Sequence, residues 1–207
     1  SFSLHKIIFF LTKEYFSVKY GRNNLSYFSH KIHTLYIAIY NIPLERHTML
    51  KTNPKVFYFN SDQRKSAYLL KEQLIKMFDQ HDISDREIIL LCIGSDRSTG
   101  DSLGPLVGHK LSKYPLPQVS VYGTLEEPVH AANLEYKISQ IKLNHNEPFI
   151  IAVDASLGTI DHVGFITVSE GPLHPGLGVN KTLPSIGDMH ITGIVNFSGM
   201  MESLLLQ

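Results

Sequence analysis

Residues 88–105 read IILLCIGSDRSTGDSLGP, a short apolar run followed by a glycine-rich loop. The apolar run at 88–93 predicts a strand that is buried on both faces, as strands of parallel sheets commonly are. The loop ends at Leu103, where the sequence predicts a helix over 103–114. A buried strand, a loop and a helix in this order are typical of α/β proteins.

The alternation of helices and strands continues on both sides of this unit. Residues 62–80 place apolar side chains three and four positions apart, which predicts a helix with Ser61 as its N-cap. Further helices are predicted at 128–142 and from 189 to at least 206. The other predicted strands are 119–122, 149–153 and 165–168. Together these elements predict an α/β fold with a mixed, mostly parallel sheet.

The composition narrows the class of protein. The chain has 207 residues, of which 43% are hydrophobic, and this is enough for one domain with a core of its own. The formal net charge is zero, which argues against direct binding of nucleic acid. No apolar run approaches the roughly 20 residues of a membrane helix. Cys92 is the single cysteine, so no intrachain disulfide forms and a cytoplasmic location is favoured.

The first 48 residues differ from the rest of the chain. They hold six Lys and Arg and two Glu, a balance of +4, whereas residues 49–207 hold 13 basic and 17 acidic residues, a balance of −4. They show no sustained helical or strand period, and the first methionine is Met49. Our hypothesis is that 1–48 is translated upstream sequence; the alternative is a basic aromatic extension that packs on the domain or binds a membrane surface. We expect 49–207 to form one domain that continues past Gln207, because the last predicted helix has no cap.

Two acidic residues follow predicted strands. Asp101 lies in the loop after the first strand, and Asp154 comes directly after 149–153. Ligands of open α/β sheets bind at the carboxyl ends of the strands, where two carboxyl groups can share a proton and activate water. The same pair can instead ligate a divalent metal. A role in local structure explains both residues equally well: Asp101 as the N-cap of the helix, and Asp154 as a residue whose side chain hydrogen-bonds within a turn.

Other candidate residues are less specific. His190 opens the last predicted helix after a glycine-rich loop, where a half-exposed histidine needs no function; Asp188 is the predicted cap of that helix. Arg97 is either a solvated loop residue or an anion contact. The loop at 94–104 also permits an anion site at the following helix N-terminus, although it lacks the spacing of a P-loop. Cys92 lies within an apolar strand and is predicted to be buried and inert.

Four segments resemble one family of proteins. Residues 92–105 closely resemble the corresponding loop of the YyaC-like sporulation proteins, which are related to the spore germination protease. In that protease the loop reads Thr-Pro-Asp-x-Leu-Gly-Pro, and here Gly100 replaces the proline. The other three segments are similar to the second aspartate motif, the Pro-Gly-x-Gly-Val loop and the end of the YyaC-like proteins. They are residues 151–158, 175–181 and 187–196.

The resemblance implies a three-layer α/β sandwich shared with the hydrogenase maturation proteases. It implies an aspartic-type endopeptidase that cleaves small acid-soluble spore proteins in the cytoplasm of the forespore or spore. The two functional aspartates match Asp101 and Asp154, and Arg97, Ser98 and Gly178 are expected to line the substrate cleft. An aspartic-type enzyme requires no cofactor.

The resemblance also leaves two alternatives. In the hydrogenase maturation relatives two acids and a histidine bind a metal, which makes His190 the candidate third ligand of a divalent ion with Asp101 and Asp154. Gly100 makes the first loop more flexible than the proline of the protease does. This favours the alternative of a catalytically inactive protein that binds a peptide or partner with the same fold.

Overall fold

The computed structural model describes residues 56–81, 83, 86–97, 99–114, 116, 118–176 and 183–197. Six strands form the sheet: β1 (Phe57–Asn60), β2 (Ile88–Cys92), β3 (Val119–Tyr122), β4 (Phe149–Gly158), β5 (Phe165–Glu170) and β6 (Met189–Phe197). Three α-helices accompany them: α1 (Ser66–His81), α2 (Leu103–Leu111) and α3 (Leu134–Asn144). Short 3-10 turns cover Thr99–Asp101 and Ile160–His162.

The strands form one mixed sheet in the order β1-β5-β6-β4-β2-β3. Strands β3, β2, β4 and β6 are parallel to one another, whereas β5 is antiparallel to both of its neighbours, β6 and β1. The prediction of an α/β fold with a mixed, mostly parallel sheet is therefore confirmed. In the part of the chain that the structure describes, no helix is long and apolar enough to cross a membrane.

Helices cover both faces of the sheet. On one face, α1 and α2 bury Leu70 and Val107 in a core that includes Leu90 of β2. On the other face, α3 buries Ile138 against Leu91 of the same strand. Successive strand residues point to opposite faces, which explains why β2 is apolar throughout. Each fully buried aliphatic side chain contributes roughly 1.5–3 kcal/mol. This layering is compatible with a three-layer sandwich.

The last described element is a strand, so the prediction of a helix from residue 189 was wrong. Residues 191–195 include four with branched β-carbons, Ile191, Thr192, Ile194 and Val195, which favour strands over helices. Strand β6 lies between β4 and β5 in the centre of the sheet, where both of its edges are hydrogen-bonded. Residues 198–206 of the predicted helix, like 1–55, lie outside the described residues.

Several boundaries also differ from the predictions. Helix α1 begins at Ser66, and the Ser61 hydroxyl donates to the carbonyl of Gly164 (2.5 Å) instead of capping a helix. Helix α2 ends at Leu111, and α3 begins at Leu134, six residues after Pro128. Strand β4 continues through Asp154 to Gly158, so Asp154 lies within the strand. The four-residue strand β1 was not predicted.

Candidate active site

The parallel pairing of β2 with β4 brings both candidate aspartates to the same edge of the sheet. Cys92 is paired with Val153, and the backbone N–H of Ile93 donates to the carbonyl of Val153 at 2.7 Å. Asp154 is the next residue of β4, and the 3-10 turn that ends at Asp101 lies against this strand. The structure therefore brings Asp101 and Asp154 together, as the positions of the two strands predict.

The loop after β2 closes onto the Asp101 side chain. Both the backbone N–H and the hydroxyl of Ser95 donate to Asp101 Oδ2, at 2.6 and 2.9 Å. Gly94 has a φ of +133°, and a Cβ there would lie 2.1 Å from the Asp101 carbonyl oxygen, so only glycine fits. The N-cap of α2 is Ser102. The interpretation of Asp101 as an N-cap is therefore wrong, because its carboxyl group binds Ser95.

Close packing of α2 fixes the position of this loop. A Cβ on Gly104 would lie 2.0 Å from the carbonyl oxygen of Ile93, and a Cβ on Gly108 would lie 2.0 Å from that of Gly123. Both glycines are buried, so one turn of helix rests directly on the backbone at the strand ends. These contacts hold the start of α2, and with it Asp101, independently of the conformational freedom of Gly100.

Asp154 has a different environment. Its residue is half-buried, and among the described residues its carboxyl group receives one hydrogen bond, from the N–H of Ala155 to Oδ1 (2.7 Å). Burial raises the pKa of Asp154 to about 8, and the negative charge of Asp101 adds to this rise, against the opposing effect of the Ala155 N–H. Asp154 is therefore mostly protonated at neutral pH, beside a carboxylate that is bound by two donors.

A row of hydroxyl groups continues the site along the sheet. Thr192 accepts a hydrogen bond from Ser156 at 3.0 Å and is hydrogen-bonded to Thr167 at 2.7 Å. Thr167 and Thr192 are buried. Sequence reasoning missed Thr192 because residues 189–206 were predicted to be a helix. A period of two was the available signal, since Met189, Ile191 and the following residues alternate between the two faces.

His190 lies on β6, not at a helix start. It is paired with Ala152 and Ser169, which places it on the same face as Asp154 but two residues nearer the amino end of β4. Its Nδ1 donates to the carbonyl of Gly171 at 2.9 Å, so Nε2 is the nitrogen left for another partner. Within the described ranges, no three His, Cys, Asp or Glu side chains are grouped closely enough to hold a metal ion.

The other residues that the sequence singles out are Arg97, Ser98, Gly178, Asp188 and Cys92. Arg97 is exposed in the loop after β2, and Ser98 and Gly178 lie outside the described residues. Asp188 does not cap a helix; its Oδ2 accepts the backbone N–H of Ile150 at 2.7 Å and ties β4 to the start of β6. Cys92 is fully buried, as predicted, and burial raises the pKa of its thiol to about 12.

The fold and the site define an α/β protein with an asymmetric pair of carboxyl groups at the carboxyl end of its parallel strands. The chain belongs to the family described as "Protein of unknown function (DUF1256)", whose model matches residues 58–207. It is 57% identical over 122 residues to "Uncharacterized protein YyaC" of Bacillus subtilis (strain 168). The aligned region covers 59% of this chain and 60% of that relative, less than two thirds of its length. The resemblance to YyaC-like proteins is thus confirmed, and neither description states an activity.

Proposed function

We propose that this chain is an aspartic-type endopeptidase in which Asp101 and Asp154 activate water for hydrolysis of a peptide bond. The observation that supports the proposal is the asymmetry of the pair. Asp101 Oδ2 accepts two hydrogen bonds from Ser95, whereas burial and the charge of Asp101 raise the pKa of Asp154 to about 8. Two carboxyl groups with such different environments suit the roles of general base and general acid.

In the proposed reaction, the Asp101 carboxylate takes a proton from water as the water oxygen attacks the carbonyl carbon of the substrate. Asp154 gives its proton to the carbonyl oxygen, which neutralises the charge of the tetrahedral intermediate. The proton held by Asp101 then passes to the leaving amine as the C–N bond breaks, and one hydroxyl of the tetrahedral intermediate returns its proton to Asp154 as the carboxyl product forms. Proton transfers of this kind typically contribute about 10²–10⁴-fold each to the rate.

The sequence segments around the two aspartates support a relationship to the spore germination protease and, more distantly, to the hydrogenase maturation proteases. On that basis we propose small acid-soluble spore proteins as substrates and the cytoplasm of the forespore or spore as the site of action. Arg97 is exposed in the loop beside Asp101, where it can contact an extended peptide.

A second candidate function is binding of a peptide or partner without cleavage. Gly100 favours it, because the protease has proline at the matching position of the loop. The contacts of Gly104 and Gly108 with the strand backbone argue the other way, since they hold Asp101 by other means.

The test uses the full chain with purified small acid-soluble spore proteins from pH 4 to 8, with and without a chelator. We expect cleavage that falls at least about 100-fold in Asp101→Asn and in Asp154→Asn. Asp161→Asn is the matched control, because Asp161 is an exposed acid in the turn after β4. Chelator sensitivity distinguishes a metal-assisted reaction, with His190 as a ligand, from the two-acid reaction. Binding without cleavage by the folded wild type, across pH and added divalent ions, supports the second candidate function.

A further inference from the structure

Asp154 belongs to a polar row that crosses three strands. Strand pairing places Asp154 of β4 opposite Thr192 of β6, and Thr192 opposite Thr167 of β5. Paired residues point to the same face of a sheet, and neighbouring strands lie about 4.8 Å apart. The Thr192 hydroxyl therefore lies between the candidate general acid and the buried hydroxyl of Thr167.

The hydrogen-bond inventory of this row leaves one donor in excess. Ser156 donates to Thr192, and Thr192 and Thr167 share one further bond. Whichever of the two residues donates in the shared bond, the hydrogen of the other has no acceptor among the described residues, and the two are similarly buried, Thr167 at 6% and Thr192 at 7% exposure. A buried donor without an acceptor is unfavourable. The arrangement in which Thr192 accepts both bonds leaves the unused hydrogen on Thr192, the hydroxyl next to Asp154, where a bound substrate can supply the missing acceptor.

Packing alone gives no reason for these hydroxyl groups. Thr167 and Thr192 occupy interior strand positions, where valine has the same shape and no polar group to satisfy. The register of β4 with β6 also shifts between Ser156 and Leu157, directly after the row. Such irregularities occur often beside active sites, where they change the direction of a side chain.

We propose that the Thr192 hydroxyl donates a hydrogen bond to a backbone carbonyl oxygen of the peptide substrate that is bound beside Asp154. This inference rests on the proposed peptide substrate and extends it by a specific contact. Thr167 and Ser156 hold the hydroxyl in place by donating to it, so its hydrogen is directed to the substrate and not to the sheet. The proposed ligand is a polypeptide backbone, which the hydroxyl recognises independently of side-chain identity.

The test compares three variants of the full chain with small acid-soluble spore proteins as the probe. Both kcat/KM for cleavage and the dissociation constant for binding are measured. Thr192→Val removes the donor and keeps the shape, Thr192→Ser restores the hydroxyl, and Thr167→Val removes a supporting bond without touching the substrate. We expect Thr192→Val to lower kcat/KM, or to weaken binding, about 3- to 10-fold, and Thr192→Ser to stay within about 2-fold of the wild type. Thr167→Val should have a smaller effect than Thr192→Val.

The outcomes distinguish failure of this contact from failure of the proposed catalysis. Unchanged kcat/KM and binding in Thr192→Val overturn the contact, even where Asp101→Asn and Asp154→Asn abolish cleavage. Equal losses in all three variants also overturn it, since they indicate a purely structural role. Binding that depends on Thr192 without any cleavage retains the contact and overturns the peptidase. Absence of both binding and cleavage overturns both proposals.

Discussion

The two ends of the parallel strands carry carboxyl groups in opposite states. At the carboxyl end, burial raises the pKa of Asp154 to about 8, and its described hydrogen bonds come from the N–H of Ala155 alone. At the amino end, Glu87 accepts the Ser120 hydroxyl (2.6 Å) and His145 Nδ1 (2.6 Å), and these hydrogen bonds lower its pKa. The carboxyl group of Asp154 thus receives one described hydrogen bond, whereas that of Glu87 receives two, one on each oxygen.

The cluster around Glu87 ties structural elements together. His145 is the C-cap residue of α3, and its Nε2 is hydrogen-bonded to the hydroxyl of Tyr122 on β3 at 2.8 Å. Glu87 precedes β2, so the cluster joins the end of a helix to two neighbouring strands. Both oxygens of the Glu87 carboxylate accept bonds from the fold, whereas at the other end the described bonds of Asp101 reach Oδ2 alone and Asp154, held neutral, can give up a proton. This difference in hydrogen bonding is the basis of our proposal that Glu87 has a structural role and that the chemistry takes place at the carboxyl end.

The largest expected effect concerns activity. Asp101→Asn should reduce cleavage of small acid-soluble spore proteins at least about 100-fold, because the amide cannot take a proton from water. Glu87→Gln should retain cleavage within about 3-fold after correction for the folded fraction. Rates are measured under single-turnover conditions for both variants. If Glu87→Gln abolishes cleavage while remaining folded, the assignment of chemistry to one end of the sheet is wrong.

The second effect concerns the helix that carries Asp101. Gly104→Ala should lower the free energy of unfolding by about 3 kcal/mol or more, because the added Cβ would meet the backbone of Ile93 and not a movable side chain. Gly171→Ala is the matched control; it has a φ of +82° but open space around the added atom, so we expect a cost of about 1 kcal/mol. Both values come from denaturant unfolding. Similar costs in the two variants would show that the close approach of α2 does not fix the loop.

The predicted parts of the fold are those that local sequence encodes. Strand β2 and the first half of β4 are apolar throughout because both of their faces are covered, and this pattern is visible without knowledge of the partners. Strand β6 was predicted as a helix because the period of two in residues 189–197 was overlooked. Its identity depends on pairing with β4 and β5, which are distant in the sequence.

The candidate site divides in the same way. Asp101 and Asp154 were identified as candidates from their positions after two apolar segments and from the motifs around them. Thr192 depends on its bond to Thr167, which is 25 residues away, and Asp188 depends on Ile150, which is 38 residues away. No local pattern encodes these contacts. The orientation of Asp101 towards Ser95 also required the three-dimensional course of the loop.

The third effect is a change in how stability depends on pH. The pKa of Asp154 is about 8 in the folded protein and 3.8 for the unperturbed group. Between these pH values the folded state binds more protons than the unfolded state, so stability falls as the pH rises from about 4 to 8. Asp154→Asn removes this loss. We expect the variant to match the wild type near pH 4 and to be roughly 2 kcal/mol more stable at pH 8, less than the full shift implies because the residue is half-buried. Urea unfolding across this range measures it.

Glu87→Gln provides the opposite dependence as a control. The pKa of Glu87 is lowered in the folded protein, so its contribution is present above the unperturbed value of 4.5 and is lost as the pH falls below it. The variant should therefore be less stable than the wild type at pH 7 and approach it in acid. Parallel pH profiles for Asp154→Asn and Glu87→Gln would contradict the difference between the two ends of the sheet.

The smallest effect tests whether the amino-end cluster acts as a unit. Tyr122→Phe removes the hydroxyl that binds His145 Nε2, and we expect a loss of about 1 kcal/mol in the free energy of unfolding with no change in cleavage. Tyr136→Phe makes the same chemical change on α3, but Tyr136 is 63% exposed, so its effect should stay within about 0.5 kcal/mol. An equally small effect in Tyr122→Phe would mean that Glu87 and His145 form an isolated surface pair. The hydrogen bonds of Glu87 would then not connect the helix to the strands. Only the burial of Asp154 would distinguish the two carboxyl groups.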